Sequence, residues 1–296
     1  MIKILKNNNI KGVLFMLLAA FFFSINDALV KFIVKEIKND NSLFDVVFLR
    51  GIFTSLFILI LIFLYGNFKF KKIFYDKRSY LRGLCEVLAA FTFLSSLMLM
   101  PMGDVYTLLN TIPLIITAIG ALFYNEKVGI RRWSAVFIGF IGVLIVINPS
   151  NLKFGPIFIL PLFSAIFLTM RDVISKGYKD SSNSLEIIFI TAVLVTFSFG
   201  IASLFFPVDF NITNIFYILF ASAVLTMAYL FSFLTILYAP LSLTSSFRYT
   251  GIVFAIILGY FFFNEIPSIN MLIGAIIISL SGLFVIRREK FLGKID

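Results

Sequence analysis

The chain has 296 residues, of which 60% are hydrophobic and 14% are charged, and its formal net charge is +10. Its mean hydropathy of +1.04 is too high for a water-soluble protein, so the composition predicts an integral membrane protein. With no histidine and a single cysteine, Cys85, the sequence excludes Ser-His-Asp catalysis, histidine metal sites and an internal disulfide.

Ten apolar segments, bounded by charged residues, proline or asparagine, predict ten membrane-spanning helices. A spanning helix needs about 20 mostly apolar residues, so ten of them leave short loops and no soluble domain. The start of the chain has the charge pattern of a signal peptide but no small-residue cleavage site, and we interpret it as an uncleaved first span. The predicted spans 1 to 10 cover residues 12–34, 45–65, 79–100, 104–124, 132–148, 154–175, 185–206, 213–238, 242–263 and 268–286.

Lysine and arginine residues are concentrated in the loops on one side of the predicted spans. Because these residues favour cytoplasmic loops, the sequence predicts that both termini are cytoplasmic, and we expect the protein in a bacterial inner membrane. The same distribution explains the net charge of +10 without a nucleic-acid partner.

Residues 104–148 are repeated at residues 243–286. In each copy an apolar segment ends in an Asn-Glu turn, and a second apolar segment that contains glycine and serine follows. The alignment pairs Thr111 with Thr250, Asn125 with Asn264, and Glu126 with Glu265.

Span 1 is similar to span 6, because Asp27 and Lys31 align with Asp172 and Lys176. Each half therefore holds five spans, and since five is odd, the second half enters the membrane from the opposite side. The sequence predicts an all-α integral membrane protein with ten transmembrane helices, arranged as two inverted five-helix repeats at residues 1–150 and 151–296.

Ten short-looped spans in two halves, Pro113 within span 4, the two Asn-Glu turns and the glycine-rich span 5 together resemble the EamA-type branch of the drug/metabolite transporter superfamily. The resemblance implies a secondary carrier without an ATP-binding domain, whose central cavity is lined mainly by spans 1, 3, 4, 6, 8 and 9. The second half has no proline that matches Pro113. The segments NDALVK at 26–31, FLRG at 48–51 and RD at 171–172 are similar to members proposed to carry riboflavin or S-adenosylmethionine.

Charged side chains within the spans are candidates for gating or coupling. Each costs at least about 2.5–3.5 kcal/mol in the bilayer, so it should face a cavity and have a partner. Similar depths suggest that Asp27 and Arg50 form an outer pair, and that Glu86 and Arg248 form an inner pair. These pairs either open and close in turn during alternating access or only hold the helices in place.

Arg171 and Asp172 lie near the same face as the predicted inner pair. Two local alternatives remain open, because Asp27 with Lys31 and Asp172 with Lys176 have the i, i+4 spacing of ion pairs on one helix. Asp27 or Glu86 is also a candidate for binding a coupling proton.

Span 4 carries Asn110 and Thr111 just before Pro113, which cannot donate a backbone hydrogen bond to Leu109. Polar groups at such a helix break suit a neutral or zwitterionic ligand, although Asn and Thr also form ordinary hydrogen bonds between helices. These two residues are therefore candidates for the binding cavity.

Three further residues are candidates for substrate contacts. Arg248 would bind a carboxylate or phosphate, Tyr249 lies on the same predicted face, and Tyr229 on span 8 would form an aromatic wall. Glu126 and Glu265 end their spans, and we expect them to accept hydrogen bonds from the start of the next helix.

Glycine and serine residues in spans 5 and 10 allow close helix approach, either within one chain or at a homodimer interface. Both a monomer and a homodimer therefore agree with the sequence. The relevant residues are Gly139, Gly142, Gly274, Ser279, Ser281 and Gly282.

The leading interpretation is a secondary transporter that moves a small organic metabolite by alternating access. Riboflavin-like, S-adenosylmethionine-like and amino-acid substrates agree with the sequence, as do proton coupling and exchange. A membrane enzyme would need histidine, paired carboxylates or a metal cluster, and a channel would need a charged ring or a filter loop. We expect a non-enzymatic protein without cofactor or metal, whose partners are the metabolite and the lipid bilayer.

Overall fold

A computed structural model describes residues 2–37, 42–65, 77–123, 129–148, 155–175, 184–205, 210–238 and 245–291. Within these residues the regular structure is helical. The α-helices are α1 (Ile2–Ile37), α2 (Ser42–Tyr65), α3 (Lys77–Leu99), α4 (Met102–Leu109), α5 (Ile112–Phe123), α6 (Ile130–Ile147), α7 (Ile159–Ser175), α8 (Ser184–Ser203), α9 (Ile212–Tyr238), α10 (Thr250–Phe263) and α11 (Ile269–Phe291).

Seven helical segments of the described chain are long and apolar enough to cross a membrane, and one of them runs through both α4 and α5. Three shorter apolar helices cover Trp133–Ile147, Phe247–Phe263 and Ile269–Phe284. The surface of the bundle carries many exposed aromatic and aliphatic side chains, which suits contact with lipid. The helical membrane fold is confirmed, whereas the inverted relation of the two halves stays a prediction.

The predicted irregularity of span 4 is confirmed. The helix breaks at Asn110 and Thr111, and Pro113 lies in the first turn of α5, where the missing N–H is tolerated. The Asn110 amide donates to the Tyr106 carbonyl at 2.7 Å, and the Thr111 hydroxyl donates to the Leu108 carbonyl at 2.8 Å. Both candidate side chains are thus held by their own helix.

The second copy is irregular at the same place although it has no matching proline. A 3₁₀-helix covers Ser245–Tyr249, and α10 begins at Thr250, the residue that the repeat aligns with Thr111. The helix is therefore irregular at the aligned position in both copies.

Helices α6 and α11 pack against each other through glycine. A Cβ on Gly274 would lie 2.8 Å from the Gly142 carbonyl oxygen and would overlap the Val146 side chain. Any larger residue would force the two helices apart. Two uses were predicted for these glycines, and the structure shows the close approach of two helices within one chain.

Candidate functional site

A central cluster of buried polar residues joins α1, α2 and α4, and we define it as Asn26, Asp27, Arg50 and Tyr106. The Tyr106 hydroxyl donates to Asp27 Oδ2 at 2.5 Å, and Asn26 Nδ2 donates to Asp27 Oδ1 at 2.9 Å. Arg50 Nη1 donates to Asn26 Oδ1 at 3.3 Å. The predicted partners Asp27 and Arg50 are therefore neighbours, but the amide of Asn26 lies between them.

Arg50 is only 7% exposed, and its Nε has no hydrogen-bond partner among the described residues. Its carbonyl oxygen accepts a hydrogen bond from the Ser222 hydroxyl at 3.0 Å, which fixes α2 against α9. Buried guanidinium donors are normally paired, so this Nε is an available donor inside the protein. Asn26 was not predicted, because a lone asparagine in an apolar span gives no specific signal.

A second cluster, which we call the outer cluster, consists of Lys31, Met100, Met102 and Glu265. Lys31 Nζ lies 2.6 Å from Glu265 Oε1 and donates to the Met100 carbonyl at 2.7 Å. Glu265 Oε2 accepts the Met102 N–H at 2.8 Å. A carboxylate at the first residue of α4 is stabilised by the partial positive charge of that helix end.

The outer cluster corrects two expectations. Glu265 does accept a backbone donor, but the donor belongs to α4 and not to the next helix. Lys31 pairs with Glu265, and the hydrogen-bond partners of Asp27 are Tyr106 and Asn26. A left-handed backbone at Asn264, with φ of 54°, turns the chain at the end of α10 and directs Glu265 back toward α4.

The inner cluster consists of Glu86 on α3, Arg171 and Asp172 on α7, and Arg248. Arg171 Nη1 lies 2.9 Å from Glu86 Oε2, and its Nη2 lies 2.7 Å from Asp172 Oδ1. Asp172 Oδ2 lies 3.4 Å from Arg248 Nη1. The four predicted charges do come together, but Glu86 pairs with Arg171, and Arg248 pairs with Asp172.

The two candidate tyrosines lie in different surroundings. Tyr229 packs edge to face against Phe23 on α1, with ring centroids 5.5 Å apart. Tyr249 is buried, and its ring lies against Gly282 of α11, where any Cβ would overlap the hydroxyl. Tyr229 therefore lies against α1, which carries the central cluster.

Three residues that the sequence singled out, Asn125, Glu126 and Lys176, lie outside the described residues. The clusters described are built from α1, α2, α3, α4, α7 and residues that flank α4 and α10. Charged groups that join several apolar helices in the interior of a membrane bundle are typical of a polytopic transport protein.

Comparison with known proteins identifies the class more closely. The sequence pattern of the EamA-like transporter family matches residues 10–148 and again residues 154–287. The chain belongs to this family and is a metabolite transporter, as its resemblance to the drug/metabolite transporter superfamily predicted.

Curated relatives cover much of the chain. An S-adenosylmethionine uptake transporter of Rickettsia conorii is 28% identical over 94% of this chain and 93% of its own length. A riboflavin transporter of Rhizobium johnstonii is 27% identical over 73% of this chain and 72% of its own. A protein of known crystal structure superposes with a TM-score of 0.59 over 92% of this chain and 98% of its own, and at 13% identity this likeness concerns the fold alone.

Proposed function

We propose that this protein is a secondary transporter that imports S-adenosylmethionine across a bacterial inner membrane by alternating access. The substrate is inferred from the Rickettsia conorii relative, which aligns over 94% of the chain, compared with 73% for the riboflavin transporter. S-adenosylmethionine combines an aromatic base with a charged amino-acid group, and the interior offers both aromatic rings and charged side chains.

One observation carries the mechanism, namely that two clusters of charges join the two halves of the chain at opposite ends of the bundle. Lys31 in the first half contacts Glu265 in the second, and Glu86 in the first half contacts Arg171 in the second. Alternating access needs one barrier on each side of the substrate, and each barrier must open when the halves move. We assign the outer cluster to the outer barrier, and the inner cluster to the inner one.

The order of helix contacts supports the inverted repeat. The most extensive contacts join α1 with α9, α3 with α7, α2 with α8, and α6 with α11, which are spans 1 and 8, 3 and 6, 2 and 7, and 5 and 10. If the two halves are exchanged, the pair of spans 1 and 8 becomes the pair of spans 6 and 3. The pairs of spans 2 and 7 and of spans 5 and 10 are unchanged. The double match to one family pattern also favours two related halves. Both termini are assigned to the cytoplasm from the distribution of lysine and arginine in the loops.

The predicted cavity residues keep different roles in this proposal. Tyr229 is an aromatic wall for the substrate, and Arg248 acts in the inner barrier through its contact with Asp172. Roles in binding for Asn110, Thr111 and Tyr249 stay predictions.

Uptake of radiolabelled S-adenosylmethionine into proteoliposomes tests the proposal. We expect saturable accumulation of chemically unchanged substrate, which also separates a carrier from a channel and from an enzyme. An imposed inward proton gradient, and internal unlabelled substrate in a parallel sample, distinguish proton coupling from exchange. Uptake no greater than that of empty liposomes would contradict the substrate, and riboflavin uptake under the same conditions would replace it.

A further inference from the structure

We propose that Asn26, Asp27 and Arg50 of the central cluster form the binding site for the amino-acid end of the substrate, its α-ammonium and α-carboxylate groups. This inference rests on the proposed function and assigns a part of the substrate to named side chains. The ammonium binds Asp27, and the carboxylate binds Arg50.

The polarity of the Asn26 amide supports this assignment. Its oxygen accepts from Arg50 at 3.3 Å, and its nitrogen donates to Asp27 at 2.9 Å. An α-amino acid presents the same two functions, an acceptor and a donor on neighbouring carbon atoms. The Asn26 amide therefore lies between the two charges. When Asn26 rotates away, the zwitterionic end of the substrate takes its place.

The unpaired Nε of Arg50 is the second observation. A guanidinium binds a carboxylate best through two parallel N–H donors, such as Nε with Nη2, whereas the Asn26 oxygen accepts from Nη1 and leaves Nε unpaired. Leaving a buried donor unpaired is unfavourable, so the site is incomplete without a second acceptor. A substrate carboxylate supplies that acceptor and also a negative charge beside the arginine.

The location of the central cluster agrees with a substrate site. Asp27 lies one helical turn along α1 from Lys31 of the outer cluster, on the side toward the inner cluster. Aromatic rings border the site, since Phe93 packs against Tyr106 with centroids 5.9 Å apart and Phe23 of α1 packs against Tyr229. These rings provide an apolar surface for the nucleoside, and the site lies between the two proposed barriers.

Competition by substrate analogues tests the assignment in the full-length protein. Labelled S-adenosylmethionine is offered with the analogue that lacks the α-carboxylate or with the one that lacks the α-amino group. We expect each analogue to compete at least about tenfold more weakly than unlabelled substrate, because each loses a charge-assisted contact. In Arg50→Gln the penalty for the missing carboxylate disappears, whereas in Asp27→Asn the penalty for the missing amino group disappears. Arg131→Gln, an exposed arginine, keeps both penalties.

Parallel thermal-stability measurements with free L-methionine and L-methionine amide separate this inference from the proposed transport function. The site is supported if L-methionine stabilises the protein, L-methionine amide does not, and the effect is lost in Arg50→Gln. This holds even when S-adenosylmethionine is not transported. Uptake of S-adenosylmethionine with equal competition by all analogues overturns the site and leaves the transport function intact. An equal loss of affinity for every compound in Arg50→Gln also overturns it, because the arginine then only supports the fold.

Discussion

Lys31 and Glu265 are 234 positions apart in the sequence, yet the lysine ammonium lies 2.6 Å from the glutamate carboxylate. Lys31 is only 2% exposed and Glu265 15%, so the ammonium is shielded from water and the carboxylate is partly shielded. Removing one partner of a buried ion pair leaves an uncompensated charge, which costs more than removing one partner of an exposed ion pair. In the proposed mechanism the closed outer end therefore depends on this contact.

Glu265→Gln should open the outer end more often. The amide can still accept the Met102 N–H, but Lys31 loses its counter-charge. Ala255 is fully buried beside Glu265, so Ala255→Cys in a Cys85→Ser background reports opening through maleimide labelling. Breaking a buried pair costs about 3–5 kcal/mol, and we expect labelling to rise by about tenfold or more.

The matched control for this experiment is Glu36→Gln, an exposed carboxylate on the same helix as Lys31. It should leave the labelling rate of Ala255→Cys unchanged. An equal rate in Glu265→Gln and Glu36→Gln would show that the pair does not hold the outer end closed.

Charge exchange in the inner cluster should depend on the partner chosen. Glu86→Arg alone should abolish uptake, since it adds a positive charge beside Arg82, Arg171 and Arg248 near Asp172. Adding Arg171→Glu restores an opposite charge within reach, and we expect a partial recovery of the transport rate. Adding Arg248→Glu should recover less, because Arg248 contacts Asp172 and not Glu86.

Uptake is compared at equal amounts of reconstituted protein. Recovery with Arg248→Glu alone would favour the pairing inferred from depth over the one in the structure. Equal uptake by Glu86→Arg and the unmodified protein would remove the inner cluster from the mechanism.

Gly274→Ala should destabilise the protein. The new Cβ would lie 2.8 Å from the Gly142 carbonyl oxygen, so α6 and α11 must separate. Overpacking of this kind costs about 1–3 kcal/mol, and the melting temperature in detergent should fall. Gly129→Ala is the control, because Gly129 is exposed and a Cβ there meets no atom within 4 Å. Equal melting temperatures for the two variants would contradict the close helix contact.

Tyr249→Phe should be close to neutral, within about 0.5 kcal/mol, because the buried hydroxyl has no hydrogen-bond partner among the described residues. Gly282→Ala should cost about 1–3 kcal/mol, since its Cβ would overlap that hydroxyl. In the double variant the removed oxygen leaves room for the new Cβ, so part of the lost stability is regained. If the melting-temperature changes of the two single variants simply add in the double variant, the Tyr249 hydroxyl does not lie against Gly282.

Sequence reasoning located the inner cluster but not its pairing. Depth along a span follows from residue number, so Glu86, Arg171, Asp172 and Arg248 could all be assigned to one end of the bundle. Which of them touch depends on the rotation of each helix about its axis and on its tilt, and apolar spans without a polar face contain little information on either. The pairing of Arg171 with Glu86 could therefore be seen only in the structure.

The outer cluster was missed because local explanations were available for both of its charges. Lys31 had Asp27 one turn away, and Glu265 ended a span where a helix cap is common. A signal did exist, since the internal repeat contains both residues, as Lys31 with Lys176 and Glu265 with Glu126. A charge of each sign that recurs in both halves of a duplicated bundle suggests a contact between the halves.

The short helix α4 has a consequence for the energetics of transport. Its first residue, Met102, is held by Glu265, and one turn later Tyr106 is held by Asp27, while the break at Asn110 separates it from α5. In the proposed mechanism, occupancy at Asp27 and closure at Glu265 thus act on one eight-residue helix. Thermodynamic reciprocity then requires that any ligand that favours the closed outer end is bound more tightly by that form, by the same factor.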